Sequence, residues 1–253
     1  MSYWGRHEKA PVAFISMDEE AGPGLVTSGS LTGRTMSSHP AGTVHESIVR
    51  LVSAPRLAVY GTDPAAALDG YVRNLDITAA LSRLIALGEV FLRNALDSAM
   101  TDNVEVGEDW LVAGSDLLCP QAVGRIEQAQ RRAQAAIGTP SHDEAVARLG
   151  LGFWVHLLAA EHTHGLWVPA LRHAFPHLNP RSRERAFDRG LRMLRLRNRV
   201  AHHEKVITRR PEVEAAGILE LLGWIDPLVA SWAAEVVASS IPGVRVDPLW
   251  GPS

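Results

Sequence analysis

The feature that most constrains this chain is a helical period sustained from about residue 44 to about residue 240, without convincing runs that alternate apolar and polar residues as strands do. Ala, Leu, Arg and Glu, all good helix formers, dominate this stretch. From Ile77 to Met100 the apolar residues Ile77, Leu81, Leu84, Ile85, Phe91, Leu92 and Leu96 fall on one helical face. Start signals punctuate the pattern. Asp63-Pro64 predicts a helix start, because Asp can cap and Pro suits the first turn. Pro120 opens a helix to about Ile137, and Gly138-Thr139-Pro140-Ser141 reads as a turn. Ser141 or Asp143 then caps a helix to about Ala160, and a shorter one spans Leu166 to Phe175, ending before Pro176. Asn179-Pro180 is expected to start the helix that carries a basic run, and Pro211 a last long helix to about Ser239. The expectation is an all-α bundle of about seven helices. Residues 1–42, rich in Gly, Ser, Thr and Pro, read as a disordered or loosely attached N-terminal segment. Residues 43–240 read as one helical domain, and 241–253 as an irregular tail.

A chain of 253 residues, 46% hydrophobic and 21% charged, can bury a real core. Its single cysteine, Cys119, excludes an internal disulfide and a four-cysteine zinc site, and fits a reducing, cytoplasmic setting. The most apolar late segment, Ile218 to Val237, contains Glu220, Asp226, Pro227 and Glu235, so it is expected to be buried and not to span a membrane. The first residues lack a positive start followed by an apolar run, so no secretory signal is expected. The net charge of −3 is unevenly spread. Between Arg172 and Arg210, eleven Arg and one Lys face three acidic residues, a local net charge of +9, leaving −12 for the rest. Such a run points to an RNA or phosphate-bearing partner, or to a solvated helix face.

Within that run lies Leu194-Arg195-Leu196-Arg197-Asn198-Arg199-Val200-Ala201-His202-His203. At about 100° per residue, Asn198 and His202 share a face and Arg195 nearly eclipses His202, whereas Arg197 lies about 140° round. Spacing by itself therefore groups Arg195, Asn198 and His202. These residue types suit RNA cleavage. The ribose 2′-hydroxyl is a built-in nucleophile, imidazole transfers protons near neutrality, and guanidinium holds phosphate through paired hydrogen bonds. Asparagine can fix an imidazole tautomer or donate to a phosphate oxygen. That chemistry needs no metal.

Arg197-Asn198-x-x-x-His202 resembles the Arg-polar-x3-His signature of HEPN ribonucleases. Three further segments resemble blocks of the Abi-like (abortive infection) family of HEPN proteins, in that family's order. They are Pro55-Arg56-Leu57-Ala58-Val59-Tyr60 with Tyr71-x-x-Asn74; Leu87-Gly88-Glu89-Val90-Phe91-Leu92-Arg93-Asn94; and Leu151-Gly152-Phe153-Trp154-Val155 with Leu166-Trp167. The resemblance covers roughly residues 48 to 210. It implies a HEPN-like helical bundle, often a homodimer with the motif at the subunit cleft. It also implies metal-independent RNA cleavage in phage defence or as a toxin, under an antitoxin or a phage-derived trigger. Carried over, Arg197 and His202 are the catalytic pair and Asn198 the polar position, with Glu89, Arg93, Asn94 and His203 in support. Glu89 would pair with Arg197 or orient His202, or else fix helix packing by a buried ion pair. Arg192, Arg195 and Arg199 become RNA- or phosphate-binding residues. The alternative is a non-catalytic RNA- or partner-binding HEPN module.

The other notable residues have plainer readings. His156, Glu161, His162, His164, His173 and His177 form a histidine-rich patch without the spacing of a helical zinc motif, so no metal or cofactor is expected. Phe153, Trp154 and Trp167 fit core aromatics better than base-stacking platforms, and Cys119 a packing residue. Glu204 is expected to cap or solvate a helix end.

Overall fold

In the computed structural model the described residues are 41–102, 110–113, 117–138 and 141–238. The expected loose N-terminal segment, apart from its last residues, and the expected irregular tail lie outside them. Every regular element among the described residues is helical, as the periodicity predicts. Helix α1 spans Ala41–Val52 and α2 Ala54–Ala58. Asp63 starts α3, Pro64–Thr101: its backbone is extended, its carboxylate accepts the Ala66 N–H at 2.8 Å, and Pro64 takes the first turn. A one-turn helix, α4, covers Trp110–Ala113, and α5 runs Pro120–Ile137, closed by Gly138 at φ 80°. Ser141, and not Asp143, caps α6, His142–Ala147, by accepting the Glu144 N–H.

Four expected boundaries differ. The helix expected to reach Ala160 stops at Ala147 and restarts as α7, Leu151–Leu157. Gly150, a poor helix former, is extended there, and Glu89 of α3 accepts the Leu151 N–H at 2.9 Å, which stabilises a new start. The helix expected over Leu166–Phe175 is broken into a π turn, Thr163–Trp167, and a 3-10 turn, Leu171–Ala174. Pro169 sits between them, without an N–H to donate. The basic helix, α8, begins at Arg183, not at Asn179-Pro180, because the Ser182 hydroxyl accepts the Arg185 N–H and caps it there; it ends at Ala201. The last long helix is two, α9 Pro211–Ile225 and α10 Pro227–Ala238. Pro227 forces Asp226 out of the helical region, and the Asp226 carboxylate accepts the Leu228 N–H at 2.7 Å. Ten α-helical segments result among the described residues, where about seven were expected.

The chain divides after Val44, and of the preceding unit only the first turn of α1 is described. From His45 onward, α3 is the axis: it packs against α7, α8, α9, α10 and the 171–174 turn. Leu81, Leu84, Leu92, Leu96 and Met100 are fully buried along it. Gly88 lets α8 and α9 approach closely, since a Cβ there would lie 2.7 Å from Met193 Sδ and 3.0 Å from Ile218. Phe153, Trp154 and Trp167 are buried core residues; Trp110 stacks on Phe153 and meets Trp154 edge-on, and Trp167 stacks on Phe175. Among the described residues no helix is long and apolar enough to cross a membrane.

Candidate functional site

Helix α8 presents one apolar face to its neighbours and sets the motif at its C-terminal end. Ala186, Gly190, Met193 and Leu196 are buried along it, which fixes its rotation about its own axis. The helix continues unbroken through Val200, and His202 is the first residue beyond it; its N–H still donates to the Asn198 carbonyl at 3.0 Å. His203 then takes φ 52°, its N–H donating to Val200, while the Glu204 N–H reaches back to Arg199 at 2.9 Å. These two bonds make a Schellman stop with a histidine where glycine is usual. Because the helix stays regular up to His202, Arg197 and His202 leave it on different sides, whereas Arg195, Asn198 and His202 leave it on the same side. Arg197, Asn198, His202 and His203 are all exposed, and their side chains make no hydrogen bond or ion pair among the described residues.

The turn after the motif is held from α3. Asn74, 1% exposed, accepts the N–H groups of Val206 and Ile207 at 2.7 and 3.1 Å and donates to the Glu204 carbonyl at 3.2 Å. Lys205 reaches the Val59 carbonyl and lies over the Tyr60 ring, 5.2 Å from its centroid. Tyr60 meets Tyr71 edge-on, and burial, reinforced by Tyr71, pushes its phenol above the ordinary range. Thus the segments Pro55–Tyr60 and Tyr71–Asn74 brace the residues that follow His203. Asn74 is not among the site residues expected from sequence; an amide side chain inside an otherwise apolar helix face is the signal that marks it.

The second block goes elsewhere. Glu89 caps α7 through Leu151 and takes neither expected role; Arg93 donates to its neighbour Asn94 at 3.1 Å. No bond links these three residues to Arg197 or His202. The cause is position: Glu89 lies about four turns along α3 from Asn74, the residue that holds the motif.

The basic run also divides. Arg183 is buried, donating to the Leu158 carbonyl and to Glu184; Arg185 lies over the Trp224 ring, and Arg189 pairs with Glu220. Arg199 pairs with Glu204 at 2.9 Å, so Glu204 neutralises a helix-end arginine as well as completing the stop. Arg192, Arg195 and Arg199 line one groove of about 280 Å³ with Arg189, Arg209, Val213 and Glu214. Arg192, Arg195 and Arg209 have no carboxylate partner among the described residues. Arg209 escaped notice because it joins the groove from a separate 3-10 turn, Ile207–Arg209. The unpaired guanidiniums of Arg192, Arg195 and Arg209 can hold phosphates, and an exposed imidazole such as that of His202 can move a proton. No family model, curated protein or solved structure matches the chain.

Proposed function

We propose that the chain is a metal-independent RNA endonuclease of the HEPN kind, acting by attack of the ribose 2′-hydroxyl on the adjacent phosphate. The observation that carries this reading is the exposed Arg197-Asn198-x3-His202 at the end of α8, the helix whose Arg192, Arg195 and Arg199 line a groove rich in arginine. His202 transfers the proton, and Asn198, one turn earlier on the same face, orients the imidazole or a phosphate oxygen. Arg192, Arg195 and Arg199 hold the RNA backbone. Arg197, on another side of α8, stabilises the phosphate charge of a site completed by a second copy, so the working form is a homodimer. The biological role that goes with this chemistry is abortive infection or toxicity, released by a phage-derived trigger or loss of an antitoxin, in the cytoplasm.

The test is purified protein with RNA in EDTA. Cleavage should leave 2′,3′-cyclic phosphate ends, and His202→Ala should lose at least about a hundredfold, the lower range for acid-base catalysis. Full activity in His202→Ala overturns the reading. A second reading, a non-catalytic RNA-binding module, draws on the lack of any side-chain bond orienting His202 among the described residues. It predicts salt-sensitive binding with no new RNA ends.

A further inference from the structure

Away from α8, three side chains of different chemistry meet where the start of α5 approaches the 3-10 turn Ala160–His162. The Cys119 thiol, a Glu161 carboxylate oxygen and a His162 ring nitrogen all lie within 4.8 Å of one another. His162 is 3% exposed, an uncommon place for a polar ring without a task. Its Nε2 faces the Glu161 carboxylate at 3.5 Å. An imidazole nitrogen aimed at a carboxylate and a thiol is placed to share a cation with them. Cys119 stands at the N-cap of α5, half-buried, and its thiol caps nothing there.

We propose that Cys119, Glu161 and His162 bind a zinc-class divalent cation, with a fourth position left to water or another ligand. Zinc bonds of about 2.0–2.3 Å set tetrahedral ligand atoms about 3.3–3.7 Å apart. The Glu161–His162 separation of 3.5 Å already has that length. Cys119 needs to close by about 1 Å, and Glu161, whose side chain is 58% exposed, is free to follow. A thiolate beside an imidazole favours zinc over magnesium or calcium. The ion would tie the start of α5 to the irregular segment after α7, a structural role separate from RNA cleavage on α8. Sequence spacing hides the site because Cys119 is far along the chain from the Glu161-His162 pair.

The test uses the full chain, kept reduced, titrated with Co(II) as the probe and then with Zn(II). One equivalent of Co(II) should bind, with the intense visible bands of tetrahedral cobalt and a thiolate-to-cobalt charge-transfer band, both erased by Zn(II). Cys119→Ser, with its helical circular dichroism checked, should lose the charge-transfer band and bind at least about tenfold more weakly. Glu161→Gln, an exposed change, should keep that band and also bind about tenfold more weakly. Absence of saturable binding, binding without the charge-transfer band, or wild-type affinity in either variant overturns the site.

Discussion

A single buried amide decides where the motif's end sits. Asn74 satisfies two N–H groups and one carbonyl of the 204–207 turn, groups that would otherwise be short of partners. Asn74→Ala should therefore cost about 2–3 kcal/mol in urea unfolding, the penalty for stranding buried polar groups, and should lower RNA cleavage in the fraction that stays folded. His202→Ala, by contrast, should unfold at the wild-type midpoint, since its exposed side chain bonds nothing among the described residues. Equal stability losses in the two variants would contradict this division between a residue that holds the turn and one that the fold does not use. The shared face of Arg195, Asn198 and His202 was legible from sequence, because α8 runs regularly up to His202. The bond from Asn74 was not, because no local pattern pairs it with a turn about 130 residues away.

Helix ends are where sequence reading and structure part. Asp63, Pro120 and Pro211 start helices as expected, since cap and proline effects act within one turn. The breaks at Gly150, Pro169 and Asp226-Pro227 interrupt a continuous apolar periodicity, which by itself predicts unbroken helices there. At Gly150 the deciding group, Glu89, comes from another helix. The C-terminus of α8 is the end that matters most. His203 holds a left-handed conformation that costs a side-chain-bearing residue about 1–2 kcal/mol relative to glycine. His203→Gly should raise the unfolding midpoint by the equivalent of about 1 kcal/mol. If stability falls instead, the His203 ring makes a contact that the fold needs. If stability rises while cleavage drops, its side chain serves the reaction.

Over the whole molecule, charge is sorted by use. A sequence count finds twelve basic residues in one stretch, but folding commits Arg183, Arg185 and Arg189 to carbonyl, ring and carboxylate partners. Arg192, Arg195 and Arg209 line the groove without a carboxylate partner among the described residues, and they are what folding leaves available to a polyanion. Replacing both Arg192 and Arg195 by Gln should reduce the slope of log affinity against log salt for single-stranded RNA by about 1.4, two phosphate contacts at about 0.7 each. The same exchange at Arg183 and Arg185 should leave the slope unchanged; equal slopes in both double variants would place the RNA elsewhere. The existence of a basic face was legible, but its membership was not, because burial and pairing depend on neighbours that sequence order does not reveal. The same sorting runs along α3. Asn74 braces the motif's turn, Glu89 starts α7, and Asp97 holds Trp110 and His142, three fixtures on one rod. An insertion of one residue between them would turn everything beyond it by about 100° and slide it by about 1.5 Å, releasing at least one fixture. Length changes in the loops should therefore leave this frame standing, whereas one residue gained or lost between Asn74 and Asp97 should not.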